Sequence, residues 1–182
     1  MAITLRRIDP TGVDRDELVA FMTGTTFPFH VVPRPTRRQV EAWIGEGAYR
    51  DEDNDSFWVE HAELGRIGFL RLEDLSDDAP LFDLRLAEEF RGRGLAVDVL
   101  RTVTDHVFTT MPKVNRLEGQ TREDNLAMRR TFVRSGWLKE AHYREGWPVE
   151  EGRPVASVAY GILRHDWRTG TVTPFVWEDL VE

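Results

Sequence analysis

The sequence contains no cysteine. That absence excludes a disulfide framework, thiolate metal ligands and a cysteine nucleophile together. No stretch approaches the roughly 18 consecutive apolar residues that a membrane-spanning helix needs. The opening run Met1-Ala2-Ile3-Thr4-Leu5-Arg6-Arg7 puts its basic pair after a short apolar stretch, with no long apolar core behind it, so it does not read as a secretory signal. A cytoplasmic protein without a membrane partner is the expectation. Positive charge is also scarce: 24 Lys and Arg face 32 Asp and Glu, for a net charge of −8 at pH 7. Binders of duplex nucleic acid usually present a basic face, so no nucleic-acid partner is expected. An acidic surface instead attracts amines and basic peptides. Histidines are few, and His30, His61, His106 and His165 stand apart without ligand spacing, so no metal is expected.

What is present suits a packed core. Of 182 residues, 41% are hydrophobic, with six Trp and ten Phe. The length and the absence of a linker or repeat point to a single domain over 1–182, in which 168–182 form a C-terminal tail. Ile3 to Ile8 alternate apolar and polar, as a half-buried strand does. Asp14 and Glu17 form a capping-box pattern ahead of Leu18, Val19, Phe21 and Met22, and Thr36 with Gln39 repeat it ahead of Trp43 and Ile44. Thr25 to Pro35, with three prolines, is a loop between these two helices. Asp51 to Asp55 is an acidic run, either a solvated loop or an attraction site for a cation. Strands follow over Ser56 to His61, Arg66 to Leu72 and Leu81 to Leu86, the first two joined by a turn at Glu63-Leu64-Gly65. From Arg93 the period shifts towards 3.6, predicting a helix that ends by Pro112. A short strand from Arg116 to Thr121, a helix from Asn125 to Ser135 and two strands, Leu138 to Trp147 and Pro154 to Leu163, complete an α/β (α+β) pattern.

The sharpest local feature is Arg91-Gly92-Arg93-Gly94-Leu95-Ala96, between a strand and an amphipathic helix. Two glycines allow a tight turn that no side chain blocks. The free amides of the helix start, with the helix dipole, then make an anion site suited to phosphate or pyrophosphate. Arg91 and Arg93 can add direct charge. A plain strand-to-helix turn is the alternative. The segment lacks the Gly-Lys-Ser/Thr ending of a P-loop, and Val97 breaks the dinucleotide spacing.

Arg91-x-x-Gly94-x-Ala96 after a strand resembles the acetyl-coenzyme A loop of the GNAT acyltransferase superfamily. Asn125-Leu126-Ala127-Met128, running through Phe132 to Gly136-Trp137, resembles that family's Asn-helix-Gly-aromatic segment. Tyr143-Arg144-Glu145, Val158 to Leu163 and Asp166-Trp167 are similar to the subgroup of ribosomal-protein N-terminal acetyltransferases and their small-amine-modifying relatives. The resemblance spans about Phe57 to Trp167. It implies a mixed, mostly antiparallel central sheet flanked by helices and splayed at the cofactor site. It also implies acetyl-coenzyme A as co-substrate and direct transfer to a primary amine, on a small molecule or a protein N-terminus. Leu84, Arg85 and Leu86 would border the thioester, the residues from Arg91 to Ala96 the pyrophosphate, Asn125 the pantetheine arm and Arg130 a phosphate. Asn125 equally suits a helix N-cap, and Arg130 a solvated helix face.

Three side chains depart from the family pattern. The positions of its usual Glu, Tyr and Ser are Gln120, Phe132 and Met128 here. Replacements for the acid and base come from position. Glu118 shares a strand face with Gln120, and Asp83 lies on the strand bordering the acetyl group. Tyr143, with His142, opens a strand within possible reach of the thiol. Asp83 can instead pair with Arg85, and Glu118 with Arg116. His30 lies in the Phe27-Pro28-Phe29-His30 loop, either lining an acceptor pocket or simply packing. A coenzyme A-binding regulatory module without turnover is the reading from another class. Oligomeric state is not fixed by the sequence, a homodimer being the commonest assembly.

Overall fold

The computed structural model describes residues 2–177. Two strands, β2 (Asp55–His61) and β3 (Gly65–Glu73), are buried along most of their length rather than on alternate residues. A strand reads that way when both sheet faces are covered. Phe57, Val59, Leu70 and Leu72 face one apolar cluster, and Trp58 and Phe69 face another. The second cluster is closed by α1 (Arg15–Gly24) and α2 (Arg37–Gly45), through Leu18, Val19, Met22, Val40 and Ile44. The first is closed by α3 (Leu95–Thr110), whose Val99, Leu100, Val103 and Val107 recur at helical spacing and are fully buried.

β1 (Ile3–Arg7), β2, β3 and β4 (Leu81–Leu86) form one antiparallel sheet in that order. β5 (Arg116–Arg122), β7 (Val155–Leu163) and β6 (Leu138–Trp147) form a second antiparallel sheet, with β7 central. The expected central sheet is thus two sheets side by side, both antiparallel throughout. α4 (Leu126–Arg134) lies between β5 and β6, and α3 carries the chain from β4 to β5.

The two capping-box patterns have different outcomes. At α2 the box forms: Thr36 Oγ1 accepts from Gln39 N–H, and Gln39 Oε1 accepts from Thr36 N–H. At α1 it does not. Asp14 sits at the N-cap position with no side-chain cap bond. Its buried carboxylate instead accepts from Asp9 N–H (2.9 Å), Arg6 Nη2 (3.0 Å) and Trp58 Nε1 (3.1 Å). The C-terminal region also departs from the expected loose tail. α5 (Arg164–Thr169) follows β7 directly, and Asp166 accepts hydrogen bonds from Thr173. The remainder of that tail, 178–182, lies outside the described residues.

Candidate active site

β4 and β5 meet at one end only. Glu118 N–H donates to Pro80 O at 3.1 Å, the single backbone bond described between them. Ala87 N–H donates to Ile67 O, and Arg85 is paired with Phe69 and Asp83 with Arg71, so the main-chain groups of the odd residues face β3. Those of Phe82, Leu84 and Leu86 therefore face β5. Past Pro80 no β5 group reaches them, and the two sheets splay. The N–H groups of Leu84 and Leu86 point into that gap, held in direction by the β3 ladder behind them. Gly68 makes this pairing close: a Cβ there would lie 2.4 Å from Arg85 O.

At the end of β4 a short 3-10 turn, Glu88–Phe90, leads into the glycine-rich segment. Gly92 (φ 73°) and Gly94 (φ 83°) both adopt the left-handed conformation. Gly94 caps α3 without any side-chain bond. Gly92, Arg93 and Gly94 are exposed. Their N–H groups and those of the first helical turn have no described partner until Val97, which donates to Gly94 O. Alternating left- and right-handed residues ahead of a helix form a concave anion nest. Arg91 departs from the expected role. Its N–H donates to Glu88 O, its Nε donates to Leu86 O at 2.8 Å, and its guanidinium lies over the Phe27 ring. Burial lowers its pKa. It braces the turn from inside, whereas Arg93 is exposed above the Phe90 ring.

A cavity of about 490 Å³ opens beside β4. Its walls come from the segment between α1 and α2 (Phe29, His30, Val32), from Tyr49, from β3 and β4, and from Gln120, Thr121, Asn125 and Met128 beside the splay. Asp83 and Arg85 project into it from β4. Asp83 accepts from His30 Nε2 at 2.9 Å and from Arg85 Nε and Nη2 at 3.0 and 2.8 Å. Burial opposes ionisation of Asp83, but the Arg85 guanidinium and the His30 ring outweigh it and hold its pKa well below the usual carboxylate range. An ionised carboxylate only accepts, so His30 carries a proton on Nε2. Its Nδ1 is buried without a partner. Beside this group, Arg71 binds Glu73 and donates to Ala48 O at 2.9 Å. Burial raises the Glu73 pKa, against the opposing pull of Arg71, and pushes the Tyr49 phenol up to about 12.

The other residues anticipated from the sequence are placed as follows. Asn125 borders the cavity and caps α4: Oδ1 accepts from Met128 N–H at 3.2 Å, and Nδ2 donates to Thr121 Oγ1 at 2.9 Å. Its amide keeps one further donor and one acceptor site. Arg130 is exposed on α4 with no described partner. Glu118 is held by Arg116 (2.6 Å) and by Gln120 Nε2 (3.1 Å), and only Gln120 reaches the cavity wall. Tyr143 is half-exposed on β6, outside the cavity lining. Phe132 is fully buried, stacked on Tyr160 at 4.6 Å. A Cβ at Gly119 would lie 2.6 Å from its Cζ, so the ring tip fits only against glycine. Arg71, Glu73, Tyr49 and Trp147 also line the cavity, although their sequence patterns carry only a strand or core signal. Among the described residues no group of three or more His, Asp or Glu is arranged to hold a metal ion, and no helix is long and apolar enough to cross a membrane.

The family model "Acetyltransferase (GNAT) domain" matches residues 2–138. No curated protein matches the sequence. Among solved structures, spermidine N-acetyltransferase from Vibrio cholerae in complex with CoA and spermine superposes with a TM-score of 0.78 at 19% identity, covering 92% of this chain and 99% of that one. A chimera of the Vibrio cholerae enzyme with hSSAT has the same TM-score and identity, covering 93% and 99%. The manganese complex of the Vibrio cholerae spermidine/spermine N-acetyltransferase gives 0.73 at 18%, covering 94% and 98%. At these identities the likeness is one of fold. The family match extends over β1 to the start of β6, and so takes in the splay, the glycine turn and Asn125 alike. The chain belongs to the GNAT acetyltransferase family and is an acetyl-coenzyme A-dependent N-acetyltransferase.

Proposed function

We propose that both substrates bind together and that the acetyl group passes directly to a primary amine seated in the cavity beside Asp83 and His30. When bound, acetyl-coenzyme A supplies a thioester carbonyl open to attack. The N–H groups from Gly92 to Ala96 hold its diphosphate, with Arg93 and Arg130 as accessible charges nearby. The Leu84 and Leu86 N–H groups are preorganised donors for the carbonyl oxygen as negative charge grows there, a contribution of about 3 kcal/mol for one well-placed donor. Asn125 and Met128 border the pantetheine side. With no cysteine in the chain, a thiol nucleophile has no place in this scheme.

An amine must lose a proton before it attacks, and imidazole is the side chain whose charge changes near neutral pH. His30, with Nε2–H fixed on Asp83, keeps its basic lone pair on Nδ1. Asp83 itself is too weak a base to take that proton, and it acts by positioning His30. Glu118 and Tyr143 lie outside the cavity lining and take no part in this scheme. The acceptor is a small amine or the first residues of a protein N-terminus, both of which fit the cavity volume. The likeness to spermidine N-acetyltransferase from Vibrio cholerae lends the small amine the greater support. A cytoplasmic homodimer belongs to the same reading.

One observation carries the proposal: the Leu84 and Leu86 amides have no described partner, on a strand that lines the cavity and leads into the glycine turn. Thiol release from acetyl-coenzyme A, followed across a panel of primary amines, tests it. Amine-dependent release is expected. Calorimetric binding of coenzyme A without release for any amine would support a regulatory module instead.

A further inference from the structure

Four charged side chains line the amine cavity, two arginines and two carboxylates. Asp83 is saturated, since its two oxygens take His30 Nε2 and the Nε–Nη2 edge of Arg85. Glu73 spends Oε1 on Arg71 and leaves only Oε2 without a described partner. The chain's excess of negative charge therefore lies elsewhere. A polycation entering this cavity would meet one free carboxylate oxygen, and burying its remaining charges unpaired is costly.

Donors, by contrast, are in surplus. Arg85 Nη1 and Trp147 Nε1 are buried without an acceptor, and both residues line the cavity. The Tyr49 hydroxyl also makes no described hydrogen bond. Buried polar atoms are almost always paired, so orphaned N–H groups around a cavity mark where a ligand brings acceptor oxygens. Between the charged groups the walls are apolar, from Phe29, Val32, Trp43, Phe82 and Leu84.

We infer that the acceptor is an apolar or aromatic primary amine that also carries a carboxylate, as a free amino acid does, and is not a polyamine. Its ammonium group is held by Glu73 Oε2, and its carboxylate by the Arg85 and Trp147 donors. This rests on the transfer reading above.

The test is initial-rate thiol release from acetyl-coenzyme A with phenylalanine, phenylalaninamide, phenethylamine and spermidine. Phenylalanine should exceed phenethylamine and spermidine in kcat/KM by about tenfold or more, the loss typical of a site whose buried charged donor goes unpaired. Phenylalaninamide should fall between, because its carbonyl supplies one oxygen without the charge. Arg85→Lys keeps a cation beside Asp83 but loses the fork, and Trp147→Phe keeps the ring but loses the donor. Each should lower the preference for phenylalanine over phenethylamine several-fold, with melting temperature measured alongside to verify folding. A preference for spermidine, or wild-type selectivity in both folded variants, overturns the inference and leaves transfer intact. Release with none of the four amines but with another primary amine or a peptide N-terminus also overturns the inference and leaves transfer intact. Coenzyme A binding without release for any amine overturns the transfer reading.

Discussion

His30 and Asp83 stand 53 positions apart in the chain and share a 2.9 Å hydrogen bond. If His30 is the proton acceptor, His30→Gln should lower kcat by about a hundredfold or more, within the range general base catalysis contributes. Asp83→Asn should lower kcat less, since it weakens the contact that orients the ring and leaves the imidazole in place. Wild-type kcat in a folded His30→Gln protein would move the role to another group, Glu73 being next in the cavity wall. Asp14 carries a structural load of the same kind. Asp14→Ala leaves Trp58 Nε1 and Asp9 N–H without their acceptor in the protein interior. An orphaned buried donor costs about 1–3 kcal/mol, so a loss of about 2–4 kcal/mol is expected in urea unfolding.

At the scale of elements, the turn from β4 into α3 depends on backbone sign. Gly94 has φ 83°, and a Cβ added there meets nothing within 4 Å. A substitution is thus penalised by conformation and not by space, at about 1–2 kcal/mol for a left-handed residue. Gly94→Ala should weaken calorimetric binding of coenzyme A while leaving selectivity among amines unchanged, since no residue from Arg91 to Ala96 lines the cavity. Unchanged affinity would remove the nest from the cofactor site. The two capping boxes show where local reading succeeds and fails. Thr36 and Gln39 need only each other, three residues apart. Asp14 has the same pattern, but a tryptophan 44 residues away claims its carboxylate. Contacts of that length leave no periodic trace in a sequence.

For the whole molecule, pH and cofactor are the levers. Asp14 and Asp83 have pKa values below those of an unfolded aspartate. Each therefore adds stability above about pH 4, the unfolded aspartate value, and loses it as pH falls towards the lower native value. Glu73, raised by burial, has the opposite sign and partly compensates on acidification. The urea midpoint should decline modestly as pH falls below about 6.5, where burial lowers the His106 pKa and the unfolded chain takes up the proton first. It should fall more steeply below about pH 4. A midpoint that rises below pH 4 would contradict the ionised Asp83–Arg85 pair. Saturating coenzyme A, at about a hundred times its Kd, should add about 2.7 kcal/mol, or roughly 5–10 °C in Tm, while ATP adds much less. The sequence by itself determined the glycine turn ahead of α3, the order of strands and helices and the family, because each depends on neighbours within a turn or a strand. The loss of pairing between β4 and β5, the inward fold of Arg91 and the assembly of His30, Arg71, Asp83, Arg85 and Trp147 around one cavity were decided only by tertiary structure. These depend on which distant partner wins each hydrogen bond and each charge, a competition that chain order does not record.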